Sequence, residues 1–495
     1  MAVSLLSHRF CCRCLFPLLM NKHKGVFLLP FKKYCIFAPA KKEVTDSWNM
    51  IHGINSRFMN KETIQLKKEV VVADHYDVVV CGGGPAGFIA AIAAARSGAR
   101  TALVEQYGFL GGMATSSYVA PLSVFVYNDE LVVGGIPWEF VNRLQDMGGG
   151  YIEKPLGNVA FDPEVYKLCC QRMVLEAGVE LYLHSYLSGC TVQDNVITHI
   201  HIENKSGTQA LAAKVFIDAT GDGDLAYMAG APMLDYGNVP LQPASSYFIL
   251  AGVDTNSPMV SRYMHHNLQG VNCQCTPMRE KLQEMADTLG IPTFGGPWFC
   301  TTLHDGCIAV NMTRVATDAC DNRDFTRAEC QLREDAYKMA DILKKIFPEF
   351  RNSYISAVAV HAGVRETRHV KGCHIITAEE YLSGFHYEDS VSRGAHPIDI
   401  HSSAGASQGC TFLKQAAYVP YRSLITEEIP NLLVAGRCLS AEREAFASLR
   451  VQASCMGTGQ AAGAAAAQSA FGKSDVRQVD VPQLVTVLKS WGATL

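Results

Sequence analysis

At 495 residues the chain exceeds what one hydrophobic core usually organises, so two structural domains are expected. With 48% hydrophobic residues, 18% charged residues and 41 glycines, its composition is that of a globular α/β enzyme and excludes a disordered chain or a fibre. A formal net charge of -4 gives no general pull toward phosphate backbones or anionic membranes, so nucleic acid is not an expected partner.

The first acid of the chain is Glu43, whereas Arg9, Arg13, Lys22, Lys24 and the pairs Lys32–Lys33 and Lys41–Lys42 supply positive charge among Leu, Phe and Cys. That pattern resembles a mitochondrial transit peptide over residues 1–43, with a secretory signal as the rival and the cytoplasm as the alternative location. No apolar run here reaches the roughly 18 residues that a membrane span requires, so no transmembrane segment is expected. Residues 44–73 are polar and patternless and are taken as a linker.

Folding begins near Val70. "HYDVVVC" is a continuous apolar run of the kind buried in a parallel sheet. Pro85 can open the next helix, because a first-turn proline gives up no intrahelical bond, and "AGFIAAIAAARSG" is apolar on nearly every face, as a buried helix is. "RTALVE" is the second parallel strand. Pro137 to Met147 and Asp162 to Ala177 have the pattern of amphipathic helices, the second with Asp162 as N-cap and Pro163 at its first position. "VELYLH" follows as a strand, then "GCTVQDNVITHIHIEN" as a hairpin turning at Asp194 and Asn195 and running on into "ALAAKVFIDAT". From Tyr227 to Gln415 the pattern is irregular apart from a helix around Ala328 to Ile346. "NLLVAG", "QASCMGTGQAAGAAAAQSA" and "VPQLVTVLKSWG" then restore the strand and helices of the first domain. The expected architecture is α/β: a Rossmann-like parallel sheet with a β-meander over 74–226 and 416–495, and an inserted α+β substrate or cap domain over 227–415.

The 18 cysteines are scattered, many of them in apolar segments. Cys273-x-Cys275 and the adjacent Cys169 and Cys170 lack metal-ligand spacing to histidines, so no metal is expected.

Gly82-x-Gly84-x-x-Gly87 lies between a strand and a helix, the context that a dinucleotide fingerprint requires. Gly82 permits the tight turn, Gly84 lets the backbone approach a pyrophosphate, and Gly87 lets helix and strand pack closely. Glu105 ends the second strand, where a carboxylate accepts hydrogen bonds from a ribose diol and repels the 2′-phosphate of NADP. The fingerprint alone does not separate FAD from NAD. Farther on, Gly111 and Gly112 in "GFLGGMAT", Gly221 in "IDATGDGD", and Gly436 with Arg437 in "NLLVAGR" recur where a longer ligand would run. The Gly457 to Gly463 stretch either aims a helix dipole at such a ligand or serves close helix packing.

Taken in order, "YDVVVCGGGPAGFIAA", "EQYGFLGGMAT", "VFIDATGDGDLAYMAGAP", "GVRETRHVKGCHIITAEEY" and "NLLVAGRCLSAEREAFASLRVQASCMGTGQAAG" resemble the FAD-dependent oxidoreductase family with the glutathione-reductase-like nucleotide fold, from about Val70 to the C-terminus. The resemblance implies a resident FAD touched by Gly82, Gly84, Gly87, Glu105, Gly111, Gly112, Gly436 and the Gly459–Gln460 segment. Glu442 and Arg443 stand where relatives carry a threonine-histidine pair, and "AAYVPYR" stands for "YDIPYR".

A flavin dehydrogenase holds a hydride donor against the cofactor and usually supplies a base for the accompanying proton. Arg365 and Arg368 in "GVRETR" form a candidate anion fork, with an ion pair to Glu366 as the plainer alternative. His396 and His401, which flank "PIDI", are candidate bases, and Tyr421, Arg422, His361 and Arg450 complete the set. Cys438 and Cys455 lack the short spacing of a redox dithiol. The expected function is hydride transfer from a small, anionic or hydroxylated metabolite to FAD and onward to an unidentified acceptor. The alternatives are a flavin-dependent tRNA-modifying enzyme and an FAD-binding protein without turnover. No second strand-glycine-helix fingerprint supports a separate NAD(P)H domain.

Overall fold

The computed structural model describes residues 64–65, 67–154, 157–260, 276–403, 405 and 408–495, and Glu69–Leu495 forms one compact unit. The expected transit peptide over 1–43 and most of the linker over 44–73 lie outside the described residues. The first strand starts at Val71, inside the stretch expected as linker.

The principal elements are β1 (Val71–Cys81), α1 (Pro85–Arg96), β2 (Thr101–Val104), α2 (Ile136–Asp146), α3 (Pro163–Glu176), β3 (Glu180–Tyr182), β4 (Tyr186–Gln193), β5 (Val196–Asn204) and β6 (Gly207–Asp218). After them come β7 (Phe248–Ala251), β8 (Phe294–Thr301), β9 (Ile308–Thr313), α4 (Asn322–Ile346), β10 (Tyr354–Val358), β11 (Ile398–His401), β12 (Gln408–Thr411) and β13 (Leu432–Val434). The chain closes with α5 (Arg443–Leu449), α6 (Gln452–Phe471) and α7 (Val481–Ser490).

The main sheet has the order β3-β2-β1-β6-β5-β4, with β13 also against β6. Strands β3, β2, β1, β6 and β13 are mutually parallel. β6 is long enough to serve two partners on one edge: Gly207–Ala212 pairs antiparallel with β5, and Phe216–Asp218 pairs parallel with β13. The β4–β5 hairpin turns at Asp194 and Asn195, whose φ values of 49° and 62° are those of a type I′ turn.

Strand alternation divides the core. Val78 and Val80 join α1 and α6 on one face, whereas Val79 and Cys81 pack with Leu187, Ile197, Ile200 and Ile202 of the meander on the other. α1 is buried from Ala86 to Ala94 because α6 lies along it at backbone distance. A Cβ on Gly459 would stand 2.1 Å from Ala86 O, and one on Gly463 2.1 Å from Ala90 O, so glycine one turn apart sets the helix spacing. The Asp162 carboxylate caps α3, accepting from the Glu164 and Val165 amides at 2.8 and 3.3 Å.

Within the irregular stretch lies a second sheet, β8-β9-β7-β10, wholly antiparallel, with Phe248, Leu250, Val310 and Met312 packed against Met339 and Leu343 of α4. Its strands escape a pattern reading because register shifts interrupt two of its three pairings. Among the described residues no helix is long and apolar enough to cross a membrane.

Candidate active site

A cleft opens where the C-terminal ends of β1, β2 and β6 meet the start of α1. It encloses about 980 Å³ between protein atoms, its open mouth included, at the upper end of small-ligand sites. After β1 the chain reverses at Gly82 (φ 97°), where a Cβ would stand 2.5 Å from Ala219 O. Gly87 is fixed more tightly still: its Cβ would fall 1.7 Å from Gly82 O. Gly84 caps α1 without a side chain and Pro85 has no N–H, so the first-turn amides of Ala86 and Gly87 are left for an anion.

Glu105, at the end of β2, is 5% exposed and lines the cleft. Its Oε2 accepts from Gly83 N at 2.7 Å and its Oε1 from Tyr107 N at 2.9 Å. Burial pushes its carboxyl above the ordinary range, while the Tyr107 and Gly83 amides pull the other way. Each oxygen keeps a lone pair for a ribose hydroxyl. On the opposite wall the buried Asp218 accepts from Thr220 N, Thr220 Oγ1 and Ala226 N at 3.0, 2.7 and 2.8 Å, which folds the loop carrying Gly221 and Asp222 against the cleft. The cleft then runs past Gly436 to Arg450, Gln452 and Cys455.

These residues suit FAD: an acid for the ribose diol, an uncapped helix start for the pyrophosphate, a narrow gap between Gly84 and Gly112, and further length beyond Gly436. A family model described as FAD dependent oxidoreductase matches residues 77–488. The chain belongs to the FAD-dependent oxidoreductase family. Its cofactor is accordingly FAD, and its class is that of the flavin oxidoreductases. The chain is also similar to the dihydrolipoyl dehydrogenase of Trypanosoma brucei brucei, 65% identical over 37 residues, and to that of Mycobacterium leprae (strain TN), 47% identical over 57 residues. Those stretches cover 8% and 12% of this chain and 8% and 12% of the two relatives, so the chain spans only a small part of their length. A geranylgeranyl bacteriochlorophyll reductase-like structure from Thermoplasma acidophilum is 13% identical with a TM-score of 0.43, covering 84% of this chain and 83% of that one.

Of the expected cofactor residues, the structure brings Gly82, Gly84, Glu105, Gly112, Gly221, Gly436 and Arg437 to the cleft. It does not bring Gly87, Gly111, Gly459 or Gln460. Gly87 serves the turn beneath it. Gly111 donates its N–H to Gly83 O at 2.9 Å with its φ at 110°. Gly459 makes the α1–α6 contact, and Gln460 Oε1 accepts from Ile136 N at 2.7 Å to cap α2. Arg437 reaches the wall, but its donors are engaged by Gly221 O, Val364 O and Asp222 Oδ1. Tyr107, Met113, Ser185 and Gln452 line the cleft without any local sequence signal.

The reactive candidates separate more sharply. Tyr421 is 3% exposed, and its hydroxyl donates to Val476 O at 2.7 Å, so it is a structural tether rather than an acid. Arg365 and Arg368 do not form a fork. Arg368 donates to Asp224 Oδ1 at 2.7 Å, while Arg365 Nη1 donates to Pro243 O and Ser245 Oγ at 2.5 and 2.8 Å. Glu366 pairs with Arg443, not with Arg365, and Glu442 accepts from Ala378 N, so both departures from the family pattern are spent on structure. Cys438 and Cys455 are free buried thiols, and burial pushes Cys455 up to about 12.

His401 has both ring nitrogens engaged. Nδ1 accepts from Arg314 at 2.8 Å and Nε2 donates to Asp399 Oδ2 at 2.9 Å, so the ring is neutral and has no lone pair for a substrate proton. Burial, and then the nearby Arg365, bring its pKa down to about 3. In His396, by contrast, Nδ1–H donates to Pro397 O at 2.8 Å, and Nε2 has no partner among the described residues. Burial lowers its pKa below 6.5, keeping that nitrogen unprotonated near neutrality, with Asp399 opposing the shift. Arg450 lines the cleft beside this group; burial, and then Arg450 itself, draw Arg365 down to about 9, still charged at neutral pH.

An acid-sensitivity follows. The unfolded His401 takes a proton below 6.5 and the folded one only near 3, so the stability it contributes is full above 6.5 and is lost as the pH falls toward 3. Asp399, held below its ordinary 3.8 chiefly by the His401 hydrogen bond working against burial, acts in the same direction at the acid end. Thermal melts of the wild type should decline steadily across that window. His401→Gln should flatten the upper part, and a wild-type curve that stays level there contradicts the assignment.

Proposed function

We propose that the protein is a dehydrogenase that takes a hydride from a small, anionic or hydroxylated metabolite and delivers the electrons to a separate acceptor. When bound, FAD supplies the two-electron acceptor for that hydride. The observation that carries the reading is the far end of the cleft, where a charged guanidinium, Arg450, and the amide of Gln452 stand instead of an apolar wall. Arg450 would orient the metabolite, and His396 Nε2, held unprotonated by burial, would receive the proton that leaves with the hydride. The acid-free, basic stretch 1–42 supports a mitochondrial location, which fractionation of cells expressing a C-terminally tagged chain tests.

Anaerobic mixing of the FAD-loaded protein with hydroxy acids, amino acids, neutral alcohols and amines tests the reaction. Bleaching of the flavin absorbance by a member of the set is the expected result. A protein that binds FAD but is reduced by none of them is a binding protein, and the reading fails.

A further inference from the structure

Arg450 and Gln452 flank Val451, where α5 passes into α6, and both line the cleft. Gln452 is 7% exposed. Its Nε2 donates to Val119 O at 2.6 Å, which fixes the orientation of the amide and leaves Oε1 buried with no partner. The Nε of Arg450 is likewise buried and unpartnered, while its Nη2 donates to the Asp399 carbonyl at 3.1 Å and lies 3.8 Å from the Asp399 carboxylate. The buried Arg365 gives Nη1 to two neutral oxygens, those of Pro243 and Ser245.

Asp399 is the acid that acts on both guanidinium groups, and its carboxylate already accepts from His401 and Gln408. The other acids nearby are committed, Glu366 to Arg443 and Asp222 to Arg437. Two buried cations therefore share one partly engaged carboxylate. That is costly unless an anion joins them, and an amide oxygen without a donor adds to the cost.

Resting on the dehydrogenase reading above, we propose that this end of the cleft takes a 2-hydroxy or 2-amino carboxylate. The carboxylate accepts from Arg450 Nε, with Arg365 supplying the second positive charge, and the neighbouring O–H or N–H donates to Gln452 Oε1. Both contacts are to groups attached at the carbon between them, which is the carbon to be oxidised. Loss of a hydride from its C–H bond and of the proton from the O–H or N–H converts the C–O or C–N single bond to a double bond. This two-electron oxidation, to a 2-oxo or 2-imino acid, is matched by the two-electron reduction of FAD. A neutral alcohol or amine would meet the amide oxygen but leave the guanidinium charge uncompensated.

Anaerobic titration calorimetry on the FAD-loaded full chain tests this with lactate, malate, mandelate, alanine, aspartate and phenylalanine, each beside its primary amide. At least one acid should bind, and its amide, which lacks the charge, should bind on the order of 100-fold more weakly. Arg450→Gln should lose a similar factor while keeping its FAD content and melting temperature, and Arg450→Lys should recover part of it. Gln452→Leu should weaken a 2-hydroxy acid such as lactate more than the matching plain carboxylate, propionate.

Binding by none of the acids, amides that bind as well as their acids, or an Arg450→Gln protein that sheds FAD would each overturn the assignment. So would equal weakening of lactate and propionate by Gln452→Leu. Flavin bleached only by neutral donors keeps the dehydrogenase reading and removes the carboxylate site. A carboxylate that binds by these criteria, in a protein that no donor reduces, keeps the site and removes the dehydrogenase reading.

Discussion

Gly87→Ala is expected to yield a chain that neither retains FAD nor melts cooperatively at the wild-type temperature. The added Cβ would stand 1.7 Å from the Gly82 carbonyl oxygen, 2.9 Å from its carbon and 3.2 Å from Ala219 Cβ. Both sides of that contact are stiff. Gly82 is held at a φ of 97° with its own Cβ position against Ala219 O, and α1 is pinned by α6 at Gly459 and Gly463, so neither the turn nor the helix can withdraw alone. Overpacking against side chains costs about 1–3 kcal/mol, and backbone on both sides places this substitution at or above that range. Gly84→Ala is the control. Its φ of -70° suits any residue, and the nearest atom to its Cβ is Gly112 Cα at 3.7 Å, so the protein interior accepts the methyl group. That group projects toward the cleft, however, so Gly84→Ala should keep the fold and lose FAD. Flavin absorbance per mole of protein, read beside a thermal melt, separates the two variants. A Gly87→Ala protein with full flavin content and an unshifted melt would refute the account of the turn.

The contrast between those glycines shows what the chain discloses and what it withholds. The turn, α1 and the parallel strands are legible because their signals are local: alternating burial, a proline at a helix start, glycine at set intervals. The α6 glycines carry the same letters for a different reason. Gly459 is required by the approach of Ala86 O, and Gly84 is spared a side chain by the space in front of it; a sequence records both simply as glycine. Tyr421 was open to misreading because its hydroxyl finds Val476 O, 55 residues along the chain, and nothing near Tyr421 announces that partner. The far end of the cleft was partly visible in Arg450. Its partner Gln452 was not, because an amide left with an unpaired oxygen arises only when Val119 takes the other half. Distances along the chain explain the rest: the groups around Asp399 come from a strand end at Arg314, a loop at Arg365, the β11–β12 hairpin and the end of α5.

If His396 receives the substrate proton, His396→Gln should lower the rate of flavin reduction by a factor on the order of 10²–10⁴, the range that a positioned base contributes. Glutamine can still donate to Pro397 O, so the hydrogen bond that fixes the side chain survives while the basic nitrogen is gone. The backbone oxygen of His396, which accepts from Tyr381 Oη at 3.0 Å and from Ser448, is indifferent to the change, so the fold and the FAD content should hold. The pH dependence gives a second readout that a purely structural role would not move. The imidazole works as a base only when neutral, and burial holds its pKa below 6.5, so the wild-type reduction rate should be level through neutrality and fall as the pH drops through that depressed value. In His396→Gln that acid limb should vanish, leaving a slow rate independent of pH over the same range. His401→Gln makes the comparison decisive, because its ring has no lone pair to offer: it should alter acid stability yet keep the acid limb of the reduction rate. Anaerobic stopped-flow reduction of the two variants, with one donor from the carboxylate panel, should therefore assign the limb to His396. A limb that persists in His396→Gln and disappears in His401→Gln would transfer the base to His401 and require its Arg314 or Asp399 hydrogen bond to open when substrate binds.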